Sequence, residues 1–159
     1  MNSGLLHVYS KCMKYPFGRQ IFSFLFCTKA PYFMTIRPQV VDLKEGLAVV
    51  SMKQRWRVQN HIKTVHAIAV CNLIEMTMGL VAESSIPSGL RWLPMGMDVK
   101  YLKKASGILT ATSTIDPRTF FALDAYPGSV NVPVEVKNKD GTVVTSAEVR
   151  LWISKKPIK

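Results

Sequence analysis

The sequence is poor in acid. Its 159 residues hold ten carboxylate side chains against 21 lysines and arginines, and none of the ten precedes Asp42. Cysteine is also scarce: Cys12, Cys27 and Cys71 form no C-x-x-C pair. That excludes a disulfide framework and a cysteine zinc site, so no metal is expected, and reduced thiols suit a cytoplasmic protein. Long apolar runs are missing too. The greasiest segment, residues 65–82, is interrupted by His66, Asn72, Glu75 and Thr77. No transmembrane segment is expected. There is no internal repeat and no low-complexity tract.

What is present fits a globular chain with one domain of ordinary size: 48% hydrophobic and 19% charged residues. The net charge of +11 favours anionic partners. The basic clusters are short, however: Lys53/Arg55/Arg57, Lys100/Lys103/Lys104 and Lys155/Lys156/Lys159. None is interleaved with aromatics as an RNA-binding sheet would require. Nucleic acid is therefore not the expected partner; an anionic small ligand, or plain solvation, is.

Residues 1–30 carry Lys11, Lys14, Arg19 and Lys29 and no acid. Leu5, Leu6, Val8, Tyr9, Cys12 and Met13 recur at helical spacing, "YPFG" breaks the pattern, and Ile21 to Cys27 reads as a second short helix. The order of basic and apolar parts is wrong for a signal peptide. An acid-free basic segment suits an organelle transit peptide or a helical arm packed on the body, and the arm is the expected form. The domain reading is thus a helical arm over 1–30 and a main domain over 31–159.

Beyond residue 31 the period changes to two. "FMTIRPQVVDL" reads as a strand, edge-placed or bent at Pro38, with a turn at 42–46. "LAVVSMKQRW" reads as a second strand. Residues 65–84 read as a helix of about five turns, apolar nearly all round and therefore buried. Four strands follow: "LRWLPMGMDVKYLKK", with a bulge at Pro94 and Gly96; "ILTATSTI"; and, after the loop "DPRTFFALDAYPG", "SVNVPVEVK" joined through "NKDG" to "TVVTSAEVRLWISK". Strands run around one greasy helix, which gives an α+β fold with an antiparallel sheet wrapped around it. The uncovered faces would suit a dimer.

One carboxylate, Glu75, falls inside the helix. A buried, unpaired carboxylate costs several kcal/mol. Glu75 is therefore expected to be either functional or paired, with Asn72 or a Lys or Arg of another element as the partner. Nine residues earlier His66 opens the helix, and six before that stands Asn60. Taken singly, His66 reads as a helix-end hydrogen bonder and Asn60 as a loop or cap residue. The Met residues near Glu75 (Met76, Met78, Met95, Met97) read as flexible core filler, with an acyl-pocket lining as the weaker alternative.

Asn60, then His66-Ala67-Ile68, then Glu75 resembles the motif of the hot-dog-fold superfamily in its PaaI-type acyl-CoA thioesterase branch. There an Asn is followed six residues on by His-Gly-Gly, and nine after the His by an acid. The resemblance runs from about residue 32 to the final "DGTVVTSAEVRLWI" hairpin. It implies a hot-dog fold and a homodimer, or a homotetramer, with the site at the dimer interface. It implies that the Ala67 N–H, at a helix N-terminus, holds the thioester oxyanion. It implies that Glu75, from the partner's helix, activates water or attacks directly, and that Asn60 orients the water or the carbonyl. The substrate would be an acyl-coenzyme A, with coenzyme A entering as part of the substrate and no separate cofactor. Arg55, Arg57, Lys63, Lys103 and Lys104 are the candidate phosphate-binding residues. Where the family has two glycines this chain has Ala67 and Ile68, which narrows the approach to the backbone. The alternative is a hot-dog protein that binds a fatty-acyl or acyl-CoA ligand without cleaving it. The dehydratases of this superfamily carry a His-x-x-Gly-x-Pro motif that is absent here.

Overall fold

A computed structural model describes residues 4–122 and 126–157. Two helices come first, α1 (Gly4–Cys12) and α2 (Gly18–Lys29), as the break at "YPFG" predicts. The strands are β1 (Gln39–Lys44), β2 (Leu47–Lys53), β3 (Leu90–Tyr101), β4 (Ile108–Thr114), β5 (Gly128–Asn138) and β6 (Val143–Lys155). Between β2 and β3 runs the long helix α3 (Ala67–Ser85), and a one-turn helix α4 (Pro117–Phe120) precedes β5. The expected loop over 116–128 thus holds a short helix, while its residues 123–125 lie outside the described residues.

One expectation fails at the start of the main domain. Residues 33–38 are not strand: Pro31–Ile36 is a 3-10 helix, and β1 begins only at Gln39. Pro31 occupies the first turn, where its fixed φ suits a helix and its missing N–H costs nothing. Arg37 then takes a left-handed φ of 46° and ends the turn. Met34, Ile36 and Val40 would share one face of a strand, while Phe33 and Ile36 fit one helical turn, so the apolar spacing allows both readings.

The sheet is antiparallel throughout, in the order β1-β2-β4-β5-β6-β3. The register of β3 on β6 slips between Pro94 and Gly96, so the bulge is where the sequence puts it. Alternate residues of each central strand point at α3. Ala48, Val50 and Met52 do so from β2, Leu109 and Ala111 from β4, Val132, Val134 and Val136 from β5, and Val149, Leu151 and Ile153 from β6. The helix supplies Leu73, Ile74, Met76, Met78 and Leu80, all fully buried. Small inward residues on β2 and β4 leave the hollow that this large-residue helix fills. By length and mean hydropathy (1.4) α3 could cross a membrane, but 67% of that stretch is buried within the fold, so here it is a core helix.

The arm packs into the same core, through Cys12, Phe22 and Cys27. Tyr9 meets Phe22 edge to face at 4.9 Å. The Ser23 hydroxyl accepts from the Val40 N–H at 2.8 Å and donates to the Arg19 carbonyl, tying α2 to β1. One sheet edge is thereby covered, as edge strands need to be. The other edge, β3, is not: Leu93, Met95 and Tyr101 stand exposed along it.

The α1–α2 corner depends on a glycine. A Cβ on Gly18 would lie 2.2 Å from the Cys12 carbonyl oxygen, a backbone atom. Gly18→Ala should therefore force the two helices apart and destabilise the whole chain by about 1–3 kcal/mol. Thermal unfolding should show one lowered transition; an unchanged Tm would mean that the arm is not part of the cooperative fold.

Candidate functional site

The site begins at the N-terminus of α3. His66 is its N-cap, in extended backbone, and its Nδ1 accepts from the Ile68 N–H at 3.1 Å. With Nδ1 an acceptor, Nε2 is left as the donor, and His66 is exposed. The Val70 N–H is taken by the His66 carbonyl at 3.1 Å. Among the described residues the Ala67 N–H has no partner, which leaves a first-turn donor free at the positive end of the helix dipole.

The loop before the helix is held from outside by Gln54, which the sequence did not single out. Its Nε2 donates to the Lys63 carbonyl at 2.8 Å and its Oε1 accepts from the Gly107 N–H at 2.7 Å. The backbone adds Val65 N–H to Ala105 O at 2.8 Å and His66 N–H to Val58 O at 2.8 Å. Asn60 works inside the loop. Its Oδ1 accepts from the N–H groups of Ile62 and Thr64 (3.2 and 3.0 Å), and its Nδ2 donates to Thr64 Oγ1 at 2.8 Å. Here the plain reading of Asn60 as a loop-builder is what the geometry displays. Lys63 takes a left-handed φ of 60° in the same loop.

Beside this corner is a cavity of about 220 Å³. His66, Ile68, Ala69 and Asn72 of α3 line one side, Thr35, Val58 and Arg57 the other. Asn72 is only 5% exposed. The Thr35 hydroxyl donates to the Tyr32 carbonyl at 2.7 Å, so its oxygen must accept, and it does so from Asn72 Nδ2 at 3.0 Å. That polarity fixes the amide and leaves Asn72 Oδ1 buried with no partner among the described residues. Asn72 is therefore not the partner of Glu75; it is an acceptor in the cavity wall. Nothing in the sequence marked it beyond its polarity in an apolar helix.

Arg57 is at the cavity and Arg55 behind it. The Arg55 guanidinium donates to the Ile36 carbonyl at 2.7 Å. Burial first, then repulsion from Arg37 and Arg57, holds its pKa below the usual guanidinium value. Three arginines thus crowd around the Ile36–Arg57 corner with no acid among them. Lys63 is exposed on the neighbouring loop. Lys103 and Lys104 are exposed beyond β3, and Lys103 acts on Asp140 of the β5–β6 turn. The structure does not bring them to the cavity.

Glu75 corrects the sequence reading most. It is exposed, and it makes no ion pair or hydrogen bond among the described residues. The sheet and the N-terminal elements cover most of α3; its exposed residues are Ile68, Glu75 and Glu83, of which Ile68 and Glu75 form a stripe, about 20° apart around the helix. At 1.5 Å per residue, Glu75 is about 13 Å further along the axis than His66. The two cannot reach one reacting carbon from the same chain. The uncovered strand β3 borders this stripe. Tyr101 OH lies 3.0 Å from Cys71 Sγ and donates to the Ala67 carbonyl at 3.5 Å, while Trp92 Nε1 donates to Glu83 at 3.1 Å. Burial first, then Cys71, pushes the Tyr101 pKa up to about 12, so its hydroxyl stays a donor at ordinary pH.

A family model described as Domain of unknown function (DUF4442) matches residues 18–153. Among solved structures, the structural-genomics target APC5556 is 36% identical, covering 96% of this chain and 99% of its own, with a TM-score of 0.80. A Pseudomonas aeruginosa protein of unknown function, described as a probable thioesterase, is 16% identical over 89% of this chain and 97% of its own, at TM-score 0.77. A Haemophilus influenzae thioesterase is 12% identical over 78% and 82%, at TM-score 0.66. At such identities the last two likenesses show the fold, which is the hot-dog fold. No protein of curated function matches the sequence.

Gln54→Leu should loosen the motif loop. Two solvent-accessible hydrogen bonds would be lost, at about 1–2 kcal/mol in all. Urea unfolding should show the loss, and the Gly107 amide should exchange faster. A variant with unchanged exchange at Gly107 would mean that Gln54 does not hold the loop.

Proposed function

The chain belongs to the DUF4442 family, and on that premise we propose that it is an acyl-coenzyme A thioesterase whose site is completed by a second copy of the chain. The observation that carries this is the position of Glu75. An acid sits on an open stripe of a core helix, beside an uncovered twelve-residue edge strand, too far from its own His66 to act with it. A copy pairing on β3 would cover the stripe and carry its own Glu75 toward the first turn of the facing α3.

In this reading the free Ala67 N–H and the helix dipole stabilise the oxyanion that forms on the thioester carbonyl. The partner's Glu75 takes the proton of the attacking water. His66, through Nε2, and Tyr101 are donors close to the same turn, and Asn60 and Gln54 hold the loop that presents it. Arg57, with Arg55 behind it, is the phosphate-facing group in place of Lys103 and Lys104. Coenzyme A enters with the substrate and no other cofactor is called for. Three unpaired thiols suit the cytoplasm.

Ile68 favours a second reading, an acyl-CoA-binding protein without turnover. It is 58% exposed in the helix turn that the substrate would approach. A panel of acyl-CoAs separates the two. The thioesterase reading expects free thiol from at least one of them, and Glu75→Gln should cut kcat by about 100-fold or more with Tm unchanged. Binding without release across the panel would leave the second reading alone. Light scattering should give a dimer or a tetramer; a monomer at micromolar concentration contradicts the shared site.

Ile68→Ala should raise kcat/KM by up to about tenfold by opening the approach to the first-turn N–H groups. A fall with KM raised would make Ile68 a substrate contact instead.

A further inference from the structure

The arm presents an anomaly that the site does not use. Helix α2 is apolar on two opposite sides. One side packs into the core through Phe22, Phe26 and Cys27. On the other, Phe17, Ile21, Phe24 and Leu25 follow i, i+4, i+7, i+8 spacing and point to solvent, with Phe17 76% and Phe24 62% exposed. Exposed apolar side chains singly need no explanation, but a contiguous helical stripe does. The stripe adjoins an apolar cavity of about 470 Å³, between α2 and the start of β1, whose wall includes Phe24, Cys27, Met34 and Pro38, with Arg37 at it as the charged group.

The charge carried by the chain up to residue 41 is of one sign. Residues 1–41 contain Lys11, Lys14, Arg19, Lys29 and Arg37 and no acid. The first acid, Asp42, is on β1, where it acts on Tyr9. This face belongs to the β1 side of the sheet, opposite the open β3 edge, so pairing through β3 would leave it uncovered. A second copy is a poor occupant, since a two-fold contact would set like charges against like. An aqueous polyanion would satisfy the cations and leave the aromatic stripe wet.

We propose that the α2 face and its cavity dock the protein on an anionic membrane surface. An interfacial helix needs an apolar stripe to enter the acyl boundary and cations to meet the headgroups, and α2 with its flanks supplies both. The cavity gives one lipid chain a place to enter. The inference is independent of the hydrolase reading, since it uses none of the groups proposed to act on the thioester; only Arg37 lies near both.

The test is co-sedimentation of the purified full chain with vesicles of phosphatidylcholine alone, or mixed with phosphatidylglycerol. Binding should be about tenfold stronger or more on the mixed vesicles and should fall as salt is raised. Phe17→Ser/Phe24→Ser changes exposed residues only, so its circular dichroism should be native, and its vesicle binding should drop by about tenfold or more. Lys11→Glu/Lys14→Glu/Lys29→Glu is the second, independent route to the same loss. Equal partition onto neutral and anionic vesicles, or none onto either, overturns the proposal. So does full binding by the double serine variant. If that variant instead changes the oligomeric mass in light scattering, the face is an interface between copies and not a membrane surface.

Discussion

An α-helix with no polar face must be covered on every side, and α3 imposes that demand on the rest of the chain. Nineteen residues from Ala67 to Ser85 bury all but a narrow stripe. The six-stranded sheet does not close around the helix as a barrel, so it curls over one side and other segments take the remainder. The 3-10 turn Pro31–Ile36 lies against α3 and puts Tyr32 and Thr35 beside Asn72. Helices α1 and α2 pack behind it, and Ser85 at the far end accepts from the Gly46 N–H at 2.9 Å. What is left uncovered after all this is the Ile68–Glu75 stripe and the strand beside it. The candidate site is therefore what an incomplete burial leaves, and the proposed second copy would cover it.

The strands were legible in the sequence because half-buried strands alternate. β2, β4, β5 and β6 fall where period two places them, and the Pro94–Gly96 bulge is written in residues that a central ladder does not tolerate. The segment 33–38 was not legible, because Phe33 and Ile36 fit a helical turn while Met34 and Ile36 fit a strand, and a short apolar run does not separate the two. The Asp-Gly of the β5–β6 hairpin and the apolar wheel of α3 were strong local signals. What a wheel cannot tell is which part of it the fold leaves open. Glu75 was expected in the core because its neighbours are apolar, and it is exposed because the one gap in the cover runs over it.

The polar residues show a similar limit. An Asn, a His and a Glu at family spacing say nothing about what each touches. Asn60 bonds within its own loop, and so does what any Asx residue in a tight loop does. Asn72 is not a partner for Glu75: it is held by Tyr32 and Thr35 of the 3-10 turn and keeps an unpaired oxygen in the cavity wall. Gln54 and Tyr101 had no sequence mark at all. Both act through contacts between segments far apart in the chain, Gln54 to Gly107 and Tyr101 to Cys71, and such pairings exist only once the sheet has formed.

The replacement of two glycines then acquires a spatial meaning. Ala67 is the lesser change, since a methyl group on the first helical residue leaves its own N–H free. Ile68 is different in kind, because it lies on the same open stripe as Glu75 rather than on the buried side. Its N–H is already taken by His66 Nδ1, so any oxyanion at this corner would have one first-turn donor fewer than the turn could offer. Its side chain also stands where a facing helix or a thioester would approach. A β-branched residue at that place narrows the entrance and stiffens it, since its χ1 has little freedom in a helix. Under the proposed reading, the side chain that would slow hydrolysis would also contact an acyl chain, so residue 68 bears on the balance between cleaving and holding beside the acid.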